Sequence, residues 1–151
     1  MRIEDAIKSK FESSQQKAYI NLIYTSNEIN TVLKKFFKQF DVTLQQYNVL
    51  RILKGKHPKS VNPGDIKTVM IDKSPDLTRL VDRLLLKGLV LRGTCEENRR
   101  KIDIQISDKG LSFLAKTNDL VAKNQKRITN CLTEVEADQL SSLLDKLRNS
   151  L

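Results

Sequence analysis

Residues 74–110 read SPDLTRLVDRLLLKGLVLRGTCEENRRKIDIQISDKG. Up to Lys87 the apolar residues Leu77, Leu80, Val81, Leu84 and Leu85 recur at helical spacing, so one face is committed to a core. The other face is polar: Asp76, Arg79, Asp82 and Arg83, with Thr78 near the start. Ser74-Pro75 reads as an N-cap followed by Pro at the first helical position, and Gly88 reads as a stop, which predicts a helix over 74–87. Leu89-Val90-Leu91-Arg92 and Lys101–Ile106 then flank a polar tip. Ile102, Ile104 and Ile106 alternate with Lys101, Asp103 and Gln105, the period of a half-buried strand. A helix followed at once by a two-stranded ribbon with a basic tip is the pattern from which the fold is read.

Upstream, Asn62-Pro63 gives the same start signal for a short helix through Asp65, Ile66, Val69 and Met70. Two short helices joined by a tight turn make a helix-turn-helix unit. Before them, Gly55–Ser60 reads as a loop, and Thr43 caps a helix whose apolar face is Tyr47, Val49, Leu50 and Leu53. The flanks are helical. Ile3, Ile7 and Phe11 outline a short amphipathic helix, and from about Ser14 to Phe40 the apolar pattern runs on without Pro or Gly. After the ribbon a helical pattern resumes from Ser107-Asp108-Lys109 through Leu111, Leu114, Leu120, Val121 and Ile128. The end carries a capping box, Thr133 with Glu136, and a stripe of Leu140, Leu143, Leu144 and Leu147. The long first helix and this stripe exceed what one small core needs, and a second copy of the chain is the expected cover.

The chain has 151 residues, 39% apolar and 30% charged, which suits one globular domain and is too short for a two-domain enzyme. No apolar run is long enough to span a membrane, and the first residues carry acids without a signal-peptide pattern, so the expectation is a cytoplasmic protein with no membrane partner. Cys95 and Cys131 form neither a zinc spacing nor a disulfide framework; Cys131 is expected to be packed between helices. His57, the lone histidine, falls in the expected loop, and no phosphate loop or metal motif is present. No enzyme, catalytic residue, metal or cofactor is expected.

The net charge is +9, and +7 of it, thirteen bases against six acids, lies between Arg51 and Lys101. Concentrated there, the charge points to a polyanion. The helix over 74–87 fits the major groove of double-stranded DNA, with Ser74, Asp76, Thr78, Arg79 and Arg83 toward it. Arg99, Arg100 and Lys101 on the ribbon tip suit the minor groove, although Glu96 and Glu97 beside them offer local neutralisation. Lys56, Lys59 and Lys73 and the helix starts at Asn62 and Ser74 suit phosphates. A solvated charged face without function remains the competing reading of the same residues.

The run Thr78-Arg79-Leu80-Val81-Asp82-Arg83-Leu84, then Lys87-Gly88-Leu89-Val90, then Asn98 through Gly110, resembles the MarR family of bacterial winged-helix transcription regulators. The likeness extends to Thr43–Leu50 and to the Leu-rich C-terminal helix. It implies a mainly α fold with a small β-ribbon wing: a winged helix-turn-helix lobe at 43–110 with dimerisation helices at 1–42 and 111–151. It also implies a homodimeric repressor on a pseudo-palindromic operator, with the wing at 89–106. The family's wing motif is Asp-x-Arg; here Asn98 stands for the Asp while Arg100 keeps the Arg. Members of the family bind small anionic aromatic effectors between lobe and dimerisation helices, where Phe36, Phe37, Phe40, Tyr47 and Arg51 are residues of the right kind. Two alternatives stay open. One is a redox-sensing regulator acting through Cys95, whose thiol pKa the neighbouring arginines would lower; the other is a non-specific architectural DNA-binding protein.

Overall fold

The computed structural model describes residues 1–73, 76–94 and 102–151. Thr43 opens α3 (Leu44–Lys56) by a reciprocal cap: its hydroxyl accepts the Gln46 amide at 3.1 Å, and the Gln46 side chain accepts the Thr43 amide at 2.9 Å. The helix buries Tyr47, Val49, Leu50 and Leu53. It runs two residues into the expected loop, because Gly55 costs a helix only about 1 kcal/mol whereas Pro58 stops it outright. His57, before that proline, has left the helical region, with φ −54° and ψ 138°.

In α4 (Pro63–Val69) the Asn62 side chain accepts the Gly64 amide, and Ile66 fills the core. The turn that follows is tied to α3, where Asn48 Oδ1 accepts the Ile71 amide and Gln45 donates to the Asp72 carboxylate. The next helix, α5 (Leu77–Leu86), starts later than the sequence pattern suggests. Asp76 is the N-cap, in extended backbone, and its carboxylate accepts the Thr78 and Arg79 amides. An extended residue at 76 ends any helix from Ser74, and Ser74 and Pro75 themselves lie outside the described residues. The C-terminal end has Gly88 at φ +69°, with the Gly88 amide on Leu85 O and the Leu89 amide on Leu84 O, a Schellman closure.

The ribbon is antiparallel: β1 (Val90–Thr94) pairs with β2 (Ile102–Ile106), Val90 opposite Ile106 and Arg92 opposite Ile104. It has a third, one-residue partner. Val61 and Ile104 exchange both backbone hydrogen bonds, at 2.8 and 2.9 Å, and the Ser60 hydroxyl donates to Asp103. Leu50, Leu53, Ile66, Val81, Leu84, Val90 and Ile104 meet in the core; burying each stabilises by roughly 1.5–3 kcal/mol.

Two compact units divide the chain, Met1–Leu114 and Ala115–Leu151. The first also holds α1 (Ile3–Ile7) and α2 (Ser14–Lys38), the latter opened by Ser13, whose hydroxyl accepts the Gln16 amide. At its far end Phe36, Phe37 and Phe40 pack edge to face, with Phe113 against Phe40 and Tyr47 against Phe37. A further helix, α6 (Asp108–Thr129), starts in the first unit and ends in the second. The second unit continues with α7 (Glu134–Arg148), in which no residue is buried. Its capping box forms as the sequence pattern indicates. Cys131, expected between helices, is exposed, because it sits in the turn that joins α6 to α7.

Candidate nucleic-acid interface

Leu77, Leu80, Val81 and Leu84 anchor α5 in the core, so its other side has nowhere to go but solvent. Thr78, Arg79, Asp82 and Arg83 are all exposed there. Asp76 is exposed as well, but its carboxylate is taken up by the helix amides, which makes it the cap of the helix that carries the others. Asp82 faces the ribbon: its carboxylate lies 3.4 Å from the Arg92 guanidinium on β1. Lys56, Lys59 and Lys73 are exposed. Ser74, the wing residues Arg99, Arg100 and Lys101, and Cys95 with Glu96, Glu97 and Asn98 lie outside the described residues.

A crevice of about 570 Å³ opens beside α5. Lys34 and Lys38 of α2 line one side, Arg83 of α5 and its C-cap Lys87 another, and Asp41 with the first turn of α3 closes it. Each pair of cations is one helical turn apart. The Lys87 ammonium meets both the carboxylate and the carbonyl oxygen of Asp41, a residue in left-handed backbone. None of Phe36, Phe37, Phe40, Tyr47 and Arg51 lines this crevice; the aromatics are spent on each other, Phe37 and Tyr47 being buried. The cations were missed in the sequence because they come from helices almost fifty residues apart, and their spacing within each helix is ordinary.

Among the described residues no group of His, Cys, Asp and Glu could hold a metal ion, and no helix is long and apolar enough to cross a membrane. His57 is exposed, just beyond the last turn of α3.

Two short helices on a third, the second exposing threonine and arginines, followed by an antiparallel ribbon, define a winged helix-turn-helix protein. The MarR family model matches residues 42–102. A MarR transcription factor from Planctomyces limnophilus is 34% identical, and its crystal structure superposes with a TM-score of 0.70 over 92% of this chain and 98% of that one. The chain belongs to the MarR family, a family of transcriptional regulators and not of enzymes. It is also 25% identical over 124 residues to the HTH-type transcriptional regulator PecS of Dickeya dadantii (strain 3937), covering 82% of this chain and 75% of PecS. A mutant MarR from E. coli, crystallised with operator DNA, is 27% identical with a TM-score of 0.72, over 84% of this chain and 91% of that one.

Proposed function

We propose that the chain is a sequence-specific regulator that binds double-stranded DNA as a homodimer on a pseudo-palindromic operator and acts as a repressor. In this reading α5 (Leu77–Leu86) enters the major groove and the wing over 89–106 the minor groove. The observation that carries this is the pair of arginines, Arg79 and Arg83, with Thr78, on the solvent face of a helix that buries Leu77, Leu80, Val81 and Leu84 on its opposite face. Arginine reads guanine edges bidentately and threonine contacts thymine methyls. Asp76 caps this helix, and Ser74, two positions before it in the sequence, is assigned to the DNA on the sequence alone. Arg99, Arg100 and Lys101 supply the wing cations, while Lys56, Lys59 and Lys73 neutralise phosphates.

In this reading residues 43–110 form the DNA-binding lobe, and 1–42 and 111–151 join two copies in the bacterial cytoplasm. Support for pairing comes from large apolar side chains left partly in solvent: Tyr19, Leu22, Ile23 and Ile29 on α2, and Leu140, Leu143 and Leu147 on α7. The test is selection of bound duplexes from a random pool. A two-fold symmetric motif with half-sites about one helical turn apart is expected; an asymmetric motif sinks the homodimeric operator, and no enrichment sinks specific recognition.

A second reading concerns an effector. The four cations of the crevice face a single carboxylate, and the first turn of α3 adds its positive end. A small organic anion held there would release the operator. Titration of the operator complex with a set of aromatic carboxylates checks it, and equal affinity across the set removes this effector.

A further inference from the structure

On the reading of α5 as the groove helix, we propose that the first turn of α6 sets the angle at which α5 meets DNA, and that Ser107 is the positioning residue. Three successive carbonyls leave the end of α5 with no helical partner ahead of them, those of Lys87, Gly88 and Leu89. Residues 107–109 take all three. The Lys109 ammonium donates to Lys87 O at 2.7 Å, the Ser107 hydroxyl to Gly88 O at 2.7 Å, and the Ser107 amide to Leu89 O at 3.2 Å. Ser107 is buried, and its hydroxyl oxygen also accepts the Gly110 amide at 3.0 Å. One atom therefore closes the exit of α5 and caps the start of α6.

The fit has no slack. A methyl group at Gly110 would stand 2.7 Å from Cγ1 of Ile106 and closer still to the carbonyl oxygen of Leu89. The first turn of α6 thus lies directly on the backbone that follows α5. At the other end Asp76 caps α5 with its own flanking backbone, a bond that shapes the helix without tying it to another element. Leu77 and Leu80 hold the first turns of α5 by packing alone, which leaves the hydrogen bonds at its exit to set its angle. Ten residues span about 15 Å, so a tilt of roughly 5° about the C-terminal end moves the first turn by about 1.3 Å. That displacement is enough to break a bidentate contact to a base edge.

The test compares the wild type with Ser107→Ala, Ser107→Thr and Lys109→Met. Each is titrated with the selected operator and with an unrelated duplex of the same length at fixed salt. Amide exchange of the free protein is followed at Lys87, Gly88 and Leu89. Ser107→Ala is expected to weaken operator binding about tenfold, the size of one buried hydrogen bond lost, with the unrelated duplex bound within about twofold of wild type. Exchange at the three amides should rise by a similar factor. Ser107→Thr, which keeps the hydroxyl, should restore both, and Lys109→Met should shift both in the same direction by less. Equal weakening on both duplexes means a merely structural role and overturns the proposal; so does unchanged exchange in Ser107→Ala. If the wild type prefers no duplex, the groove reading itself fails, and the exchange measurement still decides whether this turn holds α5. Should Ser107→Ala not fold, Lys109→Met carries the same comparison.

Discussion

Asp82 on α5 and Arg92 on β1 stand 3.4 Å apart, an ion pair that joins the helix proposed to read DNA to the first strand of the ribbon beside it. Both side chains are part exposed, so the attraction is screened, and pairs of this kind contribute less than about 1 kcal/mol. Its consequence lies in orientation. Asp82→Asn should lower the unfolding free energy by less than about 1 kcal/mol in urea titrations, and the difference should vanish near 1 M salt. On electrostatics alone, removing an acid from a DNA-facing surface tightens binding. Weaker operator binding by Asp82→Asn at low salt, measured by anisotropy, would therefore report the ribbon leaving its register with α5.

Asp76 bears on the same helix from its first turn. Its carboxylate satisfies the Thr78 and Arg79 amides, at 3.0 and 3.3 Å, so Asp76→Ala should cost about 1 kcal/mol of stability. Asp76→Asn and Asp76→Ser, which also cap, should lie within a few tenths of wild type. Thermal unfolding ranks the three. A loss as large in Asp76→Asn as in Asp76→Ala would mean the charge, not the cap, is what matters there.

The sequence was most legible where one helix face repeats. Leu77 to Leu84 predicted α5, Ile102 to Ile106 predicted β2, and Thr133 with Glu136 predicted the start of α7. Legibility failed where partners are distant or where the acceptor is main chain. Val61 pairs with Ile104 as a single residue, too short to leave a period. Ser74 reads as the cap in the sequence, and the extended backbone at Asp76, whose carboxylate accepts the Thr78 and Arg79 amides, is what moves the start of α5 to Leu77. Arg79 and Arg83 could be placed on a polar face, yet the crevice needed Lys34, Lys38 and Lys87 to be brought beside Arg83 by the packing of three helices. Ser107 looked like a helix start and no more, since the carbonyls it engages carry no side-chain signature.

Gly88 and Gly110 differ in what they forbid. Gly88 has room for a methyl group, which would meet the Lys109 side chain at an ordinary 3.7 Å, but a left-handed φ of +69°, so Gly88→Ala should cost about 1–2 kcal/mol through backbone strain. Gly110 has an ordinary φ but no room, the obstacle being the Leu89 backbone, which cannot swing aside as a side chain end would. Gly110→Ala should therefore be the more damaging, by about 3 kcal/mol or more. Denaturant midpoints of the two variants check the order; a milder effect at Gly110 would mean that α6 shifts freely against the end of α5.

Glu136 gives α7 an acid-sensitive start. One carboxylate oxygen accepts both the Thr133 amide, at 2.8 Å, and the Thr133 hydroxyl, at 2.9 Å, and these bonds hold its pKa below the usual carboxylate value. A folded pKa below the unfolded one means that the contribution is complete above the unfolded pKa and is lost as pH falls through the folded pKa. The stability difference between wild type and Glu136→Gln should thus shrink on acidification, with little change above neutrality. Urea midpoints across the acid range test this. A difference that grows as pH falls would contradict the assignment of these bonds to the ionised form.

Leu140, Leu143 and Leu147 form one stripe along α7, and Leu143 is 64% exposed in the single chain. Solvated leucines at helical spacing on a helix with no buried residue gain nothing for a monomer. Covering them with a second copy would stabilise by about 25 cal/mol per Å² of apolar surface removed from water, and would set two α5 helices at a fixed spacing along DNA. Leu143→Asp places a charge in that seam while leaving the fold of the single chain untouched, since the side chain meets water there already. If α7 joins two copies as proposed, the wild type should sediment as a dimer and the variant as a monomer, with an unchanged helical signal. Its operator affinity should fall by a hundredfold or more while a half-site is bound as before. A variant that stays dimeric would move the interface off this stripe, to the uncovered face of α2 around Tyr19, Leu22 and Ile23.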